Sequence, residues 1–289
     1  MRILLIGGTG QLGGDLLRNN PGHEICAPAR EELDLTRPTE AAALIRARRP
    51  DAVLNCAAFH NVPRCEDEPA EAFLVNCIAV RNLAAACAEN NTWFFTFSSD
   101  YVFGGERSVP WKEDDRPSPL QVYGITRLAG EYAALSTATD CSVVIRTCGL
   151  YGRSGASSKG GNFVDGRVGD ARAGKRIEMA CEQVVAPTST DDLSRAVYAL
   201  LTHPRLAPGV YHLVNEGMCS WYEFTCEIVR LVRAAIEVVP VNRGGRSGAM
   251  RRPLYSVLGN TRARALGIAL RPWQEALAEY LRSKYPETA

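Results

Sequence analysis

Apolar positions along the chain fall into short continuous runs separated by segments of helical period. Arg2 to Ile6, RILLI, has the length and composition of a strand; it ends in GGTGQLGG, and the LGGDLLRN that follows repeats at helical spacing. HEICAPA predicts a second strand, ending at Arg30. A helix from Thr39 to Arg48 leads to a third strand, DAVLNC, from Asp51 to Cys56, which opens into AAFHNV. Pro69 to Asn90 has helical periodicity, with Phe73, Val80 and Leu83 among alanines and Asn76 in passing. TWFFTF is a dense aromatic run leading into Ser98, Ser99 and Asp100, as expected of a central strand covered on both faces. Leu120 to Leu135 reads as a helix and CSVVIRT as the strand after it. Five strands alternating with helices predict an α/β fold with a doubly wound parallel sheet.

After Tyr151 the texture changes. Ser154 to Asn162, SGASSKGGN, reads as a mobile loop, followed by a helix near Phe163 to Ala173, a turn through QVVAPTST, and a helix from Asp191 to Leu201 capped by Thr190. GVYHLV is a further strand. Ser220 caps an amphipathic helix in SWYEFTCEIVRLV, and PWQEALAEYLRSKY is a final helix with proline near its start. The expected division is a nucleotide-binding domain over 1–150 with contributions from about 188–215, and a smaller C-terminal substrate-binding lobe from 151–187 and 216–289.

Composition narrows the partners. With 33 basic and 32 acidic residues the net charge is +1, so no broad field draws the chain to nucleic acid or a membrane surface. The densest basic stretch, Arg243 to Arg252, is broken by glycines and reads as a loop. The apolar run in MRILLIGG is too short for a signal peptide or a spanning helix, and a cytoplasmic protein is expected. Ten cysteines lie scattered through apolar runs without a CxxC pair, as buried free thiols do in a reducing compartment. The four histidines lack ligand spacing, so no metal is expected.

Candidate chemistry sits where strands end. Gly7, Gly10 and Gly13 stand at GxxGxxG spacing between a strand and a helix, the first unit of a Rossmann-type dinucleotide site. Glycines there allow a tight turn and close backbone approach to a pyrophosphate. Arg30, just past the second strand, favours a 2′-phosphate and therefore NADPH, with NADH as the lesser candidate. Asp34 and Leu35 are expected beside the adenine edge. Small side chains at Ala57 and Ala58 let the backbone approach the cofactor, and His60 and Asn61 follow at the same strand end. In the stretch Ser98 to Glu131, Tyr123 follows Ser99 by 24 residues and Arg127 lies one helical turn after Tyr123, so a phenol and a fixed cation share one face. A free phenol has a pKa near 10, and a neighbouring cation lowers it by roughly 1–3 units.

The pieces GGTGQLGG, PDAVLNCAAF, SSDYVFGG, PLQVYGITRLAGE, IRTCGLYG, NFV, SWYEF and RPLYSVL resemble the extended short-chain dehydrogenase/reductase superfamily and, within it, the dTDP-4-dehydrorhamnose reductase family. The resemblance implies reduction of the 4-keto group of a nucleotide-linked 6-deoxyhexose. Tyr123 would protonate the carbonyl oxygen, Ser99 would hydrogen-bond it, and Arg127 would stand at the family's lysine. It also implies that Gln11 and Leu12 join the cofactor cradle and that Asp100, Tyr101, Val102, Phe103, His60, Asn61, Asn162, Trp221 and Arg252 face the substrate. Metal-bridged dimers occur in the family; no carboxylate cluster here is assigned to one, and a homodimer stays open. Three departures stand out: Arg127 for lysine, Gly149 for a tryptophan that lines the sugar site, and Gly104 for aspartate. The alternative is an NADP-binding regulatory subunit with little catalysis, like the β subunit of methionine adenosyltransferase; an epimerase or dehydratase fits the first half but not RPLYSVL and SWYEF.

Overall fold

The computed structural model describes residues 1–154, 161–247 and 250–286. Strands β1 (Arg2–Ile6), β2 (Glu24–Cys26), β3 (Ala52–Asn55), β4 (Trp93–Ser99) and β5 (Ser142–Thr147) join Gly209–His212 in one sheet, ordered Gly209–His212, β5, β4, β3, β1, β2. Every pair is parallel. The five expected strands are all present, and the α/β doubly wound class holds. GVYHLV, from the second half of the chain, supplies the outer edge beside β5.

Alternate residues of the sheet fill two cores, as a period of two requires. Leu5, Leu54, Phe95 and Ile145 face helix α1 (Gln11–Arg18) and the helix Thr190–Leu201, through Leu16, Leu193 and Val197. Leu4, Val53, Phe94 and Val144 face α2 (Pro38–Arg48) and the helices Ala79–Glu89 and Val122–Thr137, through Ile45, Leu83 and Ala134. A third core, around Tyr151, Phe224, Ile228, Trp273 and Leu277, holds the helices Phe163–Arg172, Trp221–Leu231 and Trp273–Lys284 together. The stretch Pro69–Glu89 is long and apolar enough to cross a membrane by length and composition, and here Val80, Leu83, Ala84 and Cys87 of that stretch enter the second core.

Several boundaries differ from the sequence expectation. The second strand stops at Cys26, because Pro28 has no N–H for the ladder; Arg30 instead opens an exposed turn. Ser189, not Thr190, is the N-cap of Thr190–Leu201, and the Thr190 hydroxyl donates across to Asp15 Oδ2 at 2.5 Å. The basic stretch forms a short antiparallel pair, Arg246–Ser247 with Met250–Arg251. QVVAPTST contains two short strands, Val184–Val185 and Thr188–Ser189. Ser220 caps its helix in a full capping box, donating from its own N–H to Glu223 and accepting from the Glu223 N–H. Of the Ser154 to Asn162 loop, residues 155–160 lie outside the described residues.

One departure matters for the site. The Pro69–Glu89 helix is broken by a π turn over Leu74–Ile78, a device common at functional sites. The bulge pushes the Asn76 carbonyl against the helix Val122–Thr137 at Gly130, where a Cβ would overlap it. Gly130 therefore permits the bulge.

Candidate active site

The strand order reverses between β2 and β3, on either side of β1, so the crevice at their carboxyl ends is the switch point where open α/β sheets bind ligands. Gly7 lies there with φ +80°, and a Cβ on it would stand 3.0 Å from the Ala57 N. A Cβ at Gly13 would fall inside the contact distance of the Gly7 oxygen. Gly10 is the N-cap of α1 without a side-chain cap, leaving the first N–H groups of the helix facing the crevice. Gln11 adds a buried Oε1 with no hydrogen-bond partner among the described residues, whereas the Leu12 side chain packs into the core.

Further along the rim, Asp34 accepts from the N–H and hydroxyl of Thr36 at 2.9 and 2.8 Å, which hold its carboxyl below the usual range; Arg37 and Arg30 add attraction. Leu35 packs against the core. After β3 the Ala57 backbone comes up beside Gly7, and Ala58 follows it. His60 Nδ1 lies 3.3 Å from the Ala58 oxygen, and the Asn61 side chain caps the helix Val62–Asp67 by accepting from the Arg64 N–H.

At the end of β4 the chain turns at Ser99 into a short 3₁₀ turn, Asp100–Val102, whose first N–H groups need a partner; the Ser99 hydroxyl accepts from the Tyr101 N–H at 3.1 Å. The same hydroxyl donates to Asp100 Oδ1 at 2.9 Å. The Tyr123 phenol lies near enough to the Ser99 hydroxyl for the serine to favour its ionised form, and its ring meets Tyr101 edge-on at 6.0 Å. Burial pushes the Tyr123 phenol up, against the pull of Arg127. Arg127 is 5% exposed; its Nη1 donates to Asn76 Oδ1 at 3.3 Å, and its Nε has no partner among the described residues.

Asn76 is the residue that sequence reasoning passed over. Its Oδ1 also accepts from the Phe59 N–H at 2.9 Å, and its Nδ2 donates to the Phe59 oxygen and to Thr126 Oγ1 at 3.0 and 3.1 Å. One amide thus ties the β3 loop to the Tyr123 helix and holds Arg127. Its signal was a polar residue inside an otherwise apolar helical period.

Of the remaining expected substrate contacts, Asp100 is buried and accepts from Ser99, Ser256 at 2.6 Å and Cys148 at 3.1 Å. Burial raises its carboxyl, although those bonds oppose the shift. The Tyr101 hydroxyl accepts from Arg252 Nη1 at 3.0 Å. Val102 and Phe103 are wholly buried, and Phe103 stacks on Trp111 at 4.6 Å. Asn162 caps the helix Phe163–Arg172 and donates to the Gly152 oxygen and the Tyr280 hydroxyl, each at 2.8 Å. Trp221 leans on Phe163 at 4.6 Å, with its Cη2 3.2 Å from where a Cβ on Gly149 would stand. An indole from another element therefore occupies the space beside position 149. Among the described residues no group of three or more His, Cys, Asp or Glu could hold a metal ion.

Behind the site lies a buried charge network. Arg146 donates to both oxygens of Glu131, with Nη2 2.6 Å from Oε2, and both side chains are at most 4% exposed. Ser98 donates to the same carboxylate. Arg146 also lies 5.0 Å from the Phe103 ring centre and 3.5 Å from His212 Nε2. His212 Nδ1 faces the Trp111 and Gly259 oxygens, and burial, reinforced by Arg146, lowers its pKa to about 3. Because the folded pKa lies below the unfolded value near 6.5, the unfolded chain binds the extra proton between the two. The His212 contribution is therefore complete above about pH 6.5 and is lost at about 1.4 kcal/mol per unit as the pH falls toward 3. Urea unfolding of wild type and His212→Gln should show the wild type losing about 2–3 kcal/mol more between pH 7 and about pH 4.5; equal losses would contradict the assignment.

The fold and the relatives agree on the class: this is an NAD(P)-dependent oxidoreductase with a Rossmann-type fold. The chain belongs to the RmlD substrate binding domain family, which matches residues 1–285. It is 36% identical to a probable dTDP-4,6-dihydroxy-2-methyloxan-3-one 4-ketoreductase of Streptomyces antibioticus, covering 100% of this chain and 98% of the relative. It is 35% identical to the dTDP-4-dehydrorhamnose reductase of Streptomyces griseus, covering 96% and 92%. The crystal structure of Bacillus anthracis dTDP-4-dehydrorhamnose reductase in complex with NADP superposes with a TM-score of 0.91 at 30% identity, over 98% of this chain and 99% of that one.

Proposed function

We propose that the protein reduces the 4-keto group of a dTDP-linked 6-deoxyhexose with NADPH, with dTDP-4-dehydrorhamnose or a related deoxysugar as substrate. The observation that carries the reading is the convergence of Ser99, Tyr123 and Arg127 at the carboxyl edge of the sheet that also carries the glycine turn, in a chain whose relatives are named as reductases of dTDP sugars.

The residues present fit the cofactor. Gly7, Gly10, Gln11, Leu12 and Gly13 would receive the pyrophosphate on helix N–H groups, Arg30 the 2′-phosphate, Asp34 and Leu35 the adenine end, and Ala57 and Ala58 the middle of the dinucleotide. Arg127 Nε and Gln11 Oε1 are buried polar atoms without a hydrogen-bond partner among the described residues, as a polar ligand there would use. NADPH, when bound, supplies hydride to the carbonyl carbon. Tyr123 gives its phenolic proton to the carbonyl oxygen, Ser99 orients that oxygen with a second hydrogen bond, and Arg127 holds the tyrosine and the ribose side with its positive charge. Free thiols at all ten cysteines suit a reducing, cytoplasmic setting.

Purified protein given NADPH and dTDP-4-dehydrorhamnose should consume reduced nicotinamide. The fixed charge of Arg127 favours the second reading, a regulatory subunit that binds NADP; tight NADPH binding without turnover on any dTDP-4-keto-6-deoxyhexose would decide for it. Arg30→Ala should weaken NADPH about tenfold, the scale of one lost charged hydrogen bond, and leave NADH unchanged. Titration of nicotinamide fluorescence checks this, and equal weakening of both would remove Arg30 from the 2′-phosphate site.

A further inference from the structure

A tyrosine that gives up its proton inside a closed site needs it replaced, and Arg127 cannot do so, because a guanidinium stays protonated. The other direction from Tyr123 leads through Ser99 to Asp100. Asp100 is 4% exposed, and its carboxylate meets only neutral donors, the Ser99 and Ser256 hydroxyls and the Cys148 thiol; no cation pairs with it among the described residues. Burial without a cation disfavours the ion; the three hydrogen bonds favour it, and burial is the larger effect, so the carboxyl is raised. Titratable groups around it are Tyr123 from the helix Val122–Thr137, Tyr101 with its Arg252 partner, and Cys148 with Cys219 behind it. Arg127 acts on Tyr123 through its charge and lowers the phenol's pKa.

We propose that Asp100 stores the proton that replenishes Tyr123 and passes it through the Ser99 hydroxyl, an inference that rests on the reductase reading. Once the carbonyl oxygen has taken the Tyr123 proton, the Ser99 hydroxyl turns from the new sugar hydroxyl to the phenolate and gives it its proton. Ser99 Oγ in turn takes the proton of the Asp100 carboxyl. The Asp100 carboxylate so formed keeps the Ser256 and Cys148 donors, which hold it until product leaves. Water entering the open cleft then returns one proton along the same chain, and the Ser99 hydroxyl turns back. One proton from water is used per turnover, matching the hydrogen added to oxygen. Ser256, the last residue of RPLYS, acquires a role as the donor that steadies the spent acid.

Asp100→Asn keeps the shape and removes the proton. It should lower kcat about thirtyfold, within the range of proton-transfer effects, with NADPH affinity unchanged. Adding Arg127→Lys should restore kcat to within about threefold of wild type, because an ammonium can itself deliver a proton. A merely structural Asp100 would not be rescued by that change. Wild-type kcat in Asp100→Asn, or a loss that Arg127→Lys leaves in place, overturns the relay while the reductase reading stands. No turnover by the wild type with any dTDP-4-keto-6-deoxyhexose overturns both. Should Asp100→Asn fail to fold, infrared spectra of wild-type protein carrying ¹³C-labelled aspartate decide: a protonated aspartate carboxyl band at neutral pH supports the store, and its absence overturns it.

Discussion

Tyr123→Phe is expected to lower kcat about a thousandfold while changing NADPH affinity by no more than about threefold. Removing a positioned general acid costs roughly 10² to 10⁴ in rate. The ring itself is retained, so its edge-on contact with Tyr101 and the start of the helix Val122–Thr137 survive. The loss should fall on kcat rather than KM, because the proton moves only as the carbonyl is reduced. Burial raises the phenol above its ordinary value, which keeps the acid form populated through neutral pH, and Arg127 limits the rise. A variant retaining more than a tenth of wild-type kcat would assign the proton to another group.

Glu131→Ala is expected to destabilise the fold by about 3–5 kcal/mol, the cost of leaving a buried arginine without its partner. The pair joins three parts of the site's frame: Glu131 on the Tyr123 helix, Arg146 on β5, and Ser98 at the end of β4. Glu131→Leu combined with Arg146→Met should be far milder than Glu131→Ala alone, since a buried pair replaced by apolar side chains costs little. Equilibrium denaturation of the single and double variants reads both. A loss below about 1 kcal/mol for Glu131→Ala would mean that water reaches Arg146 and that the network does not frame the site.

The sheet was legible because its strands are continuous apolar runs, covered on both faces, and such runs need no knowledge of their partners. Local chemistry was legible too: Ser220 and Glu223 form the S-x-x-E box that their spacing announces. Features made by distant residues were not. The length of β2 depended on whether Pro28 could be carried past the edge of the ladder, and the expectation at Arg30 ran four residues too far. The π turn at Asn76 needs Gly130, more than fifty residues later, to make room, so a helical period alone gives no sign of it. The same holds for His212, whose ring lies between Arg146 and the carbonyls of Trp111 and Gly259. The motifs around Ser99 and Tyr123 named the candidate proton donors; the buried partners of Asp100 emerged only when strand end, Cys148 and Ser256 came together.

The strand Gly209–His212 gives the fold a schedule. Until it is made, β5 is a bare sheet edge with its Val143 to Arg146 backbone unpaired on one side, an open template for another chain. About 60 residues separate the two strands, so at a synthesis rate of roughly 5–20 residues per second the nascent sheet waits on the order of 3–12 seconds for its last member. A fragment ending after β5 would keep that edge permanently, and should be recovered as aggregate where the whole chain is recovered folded.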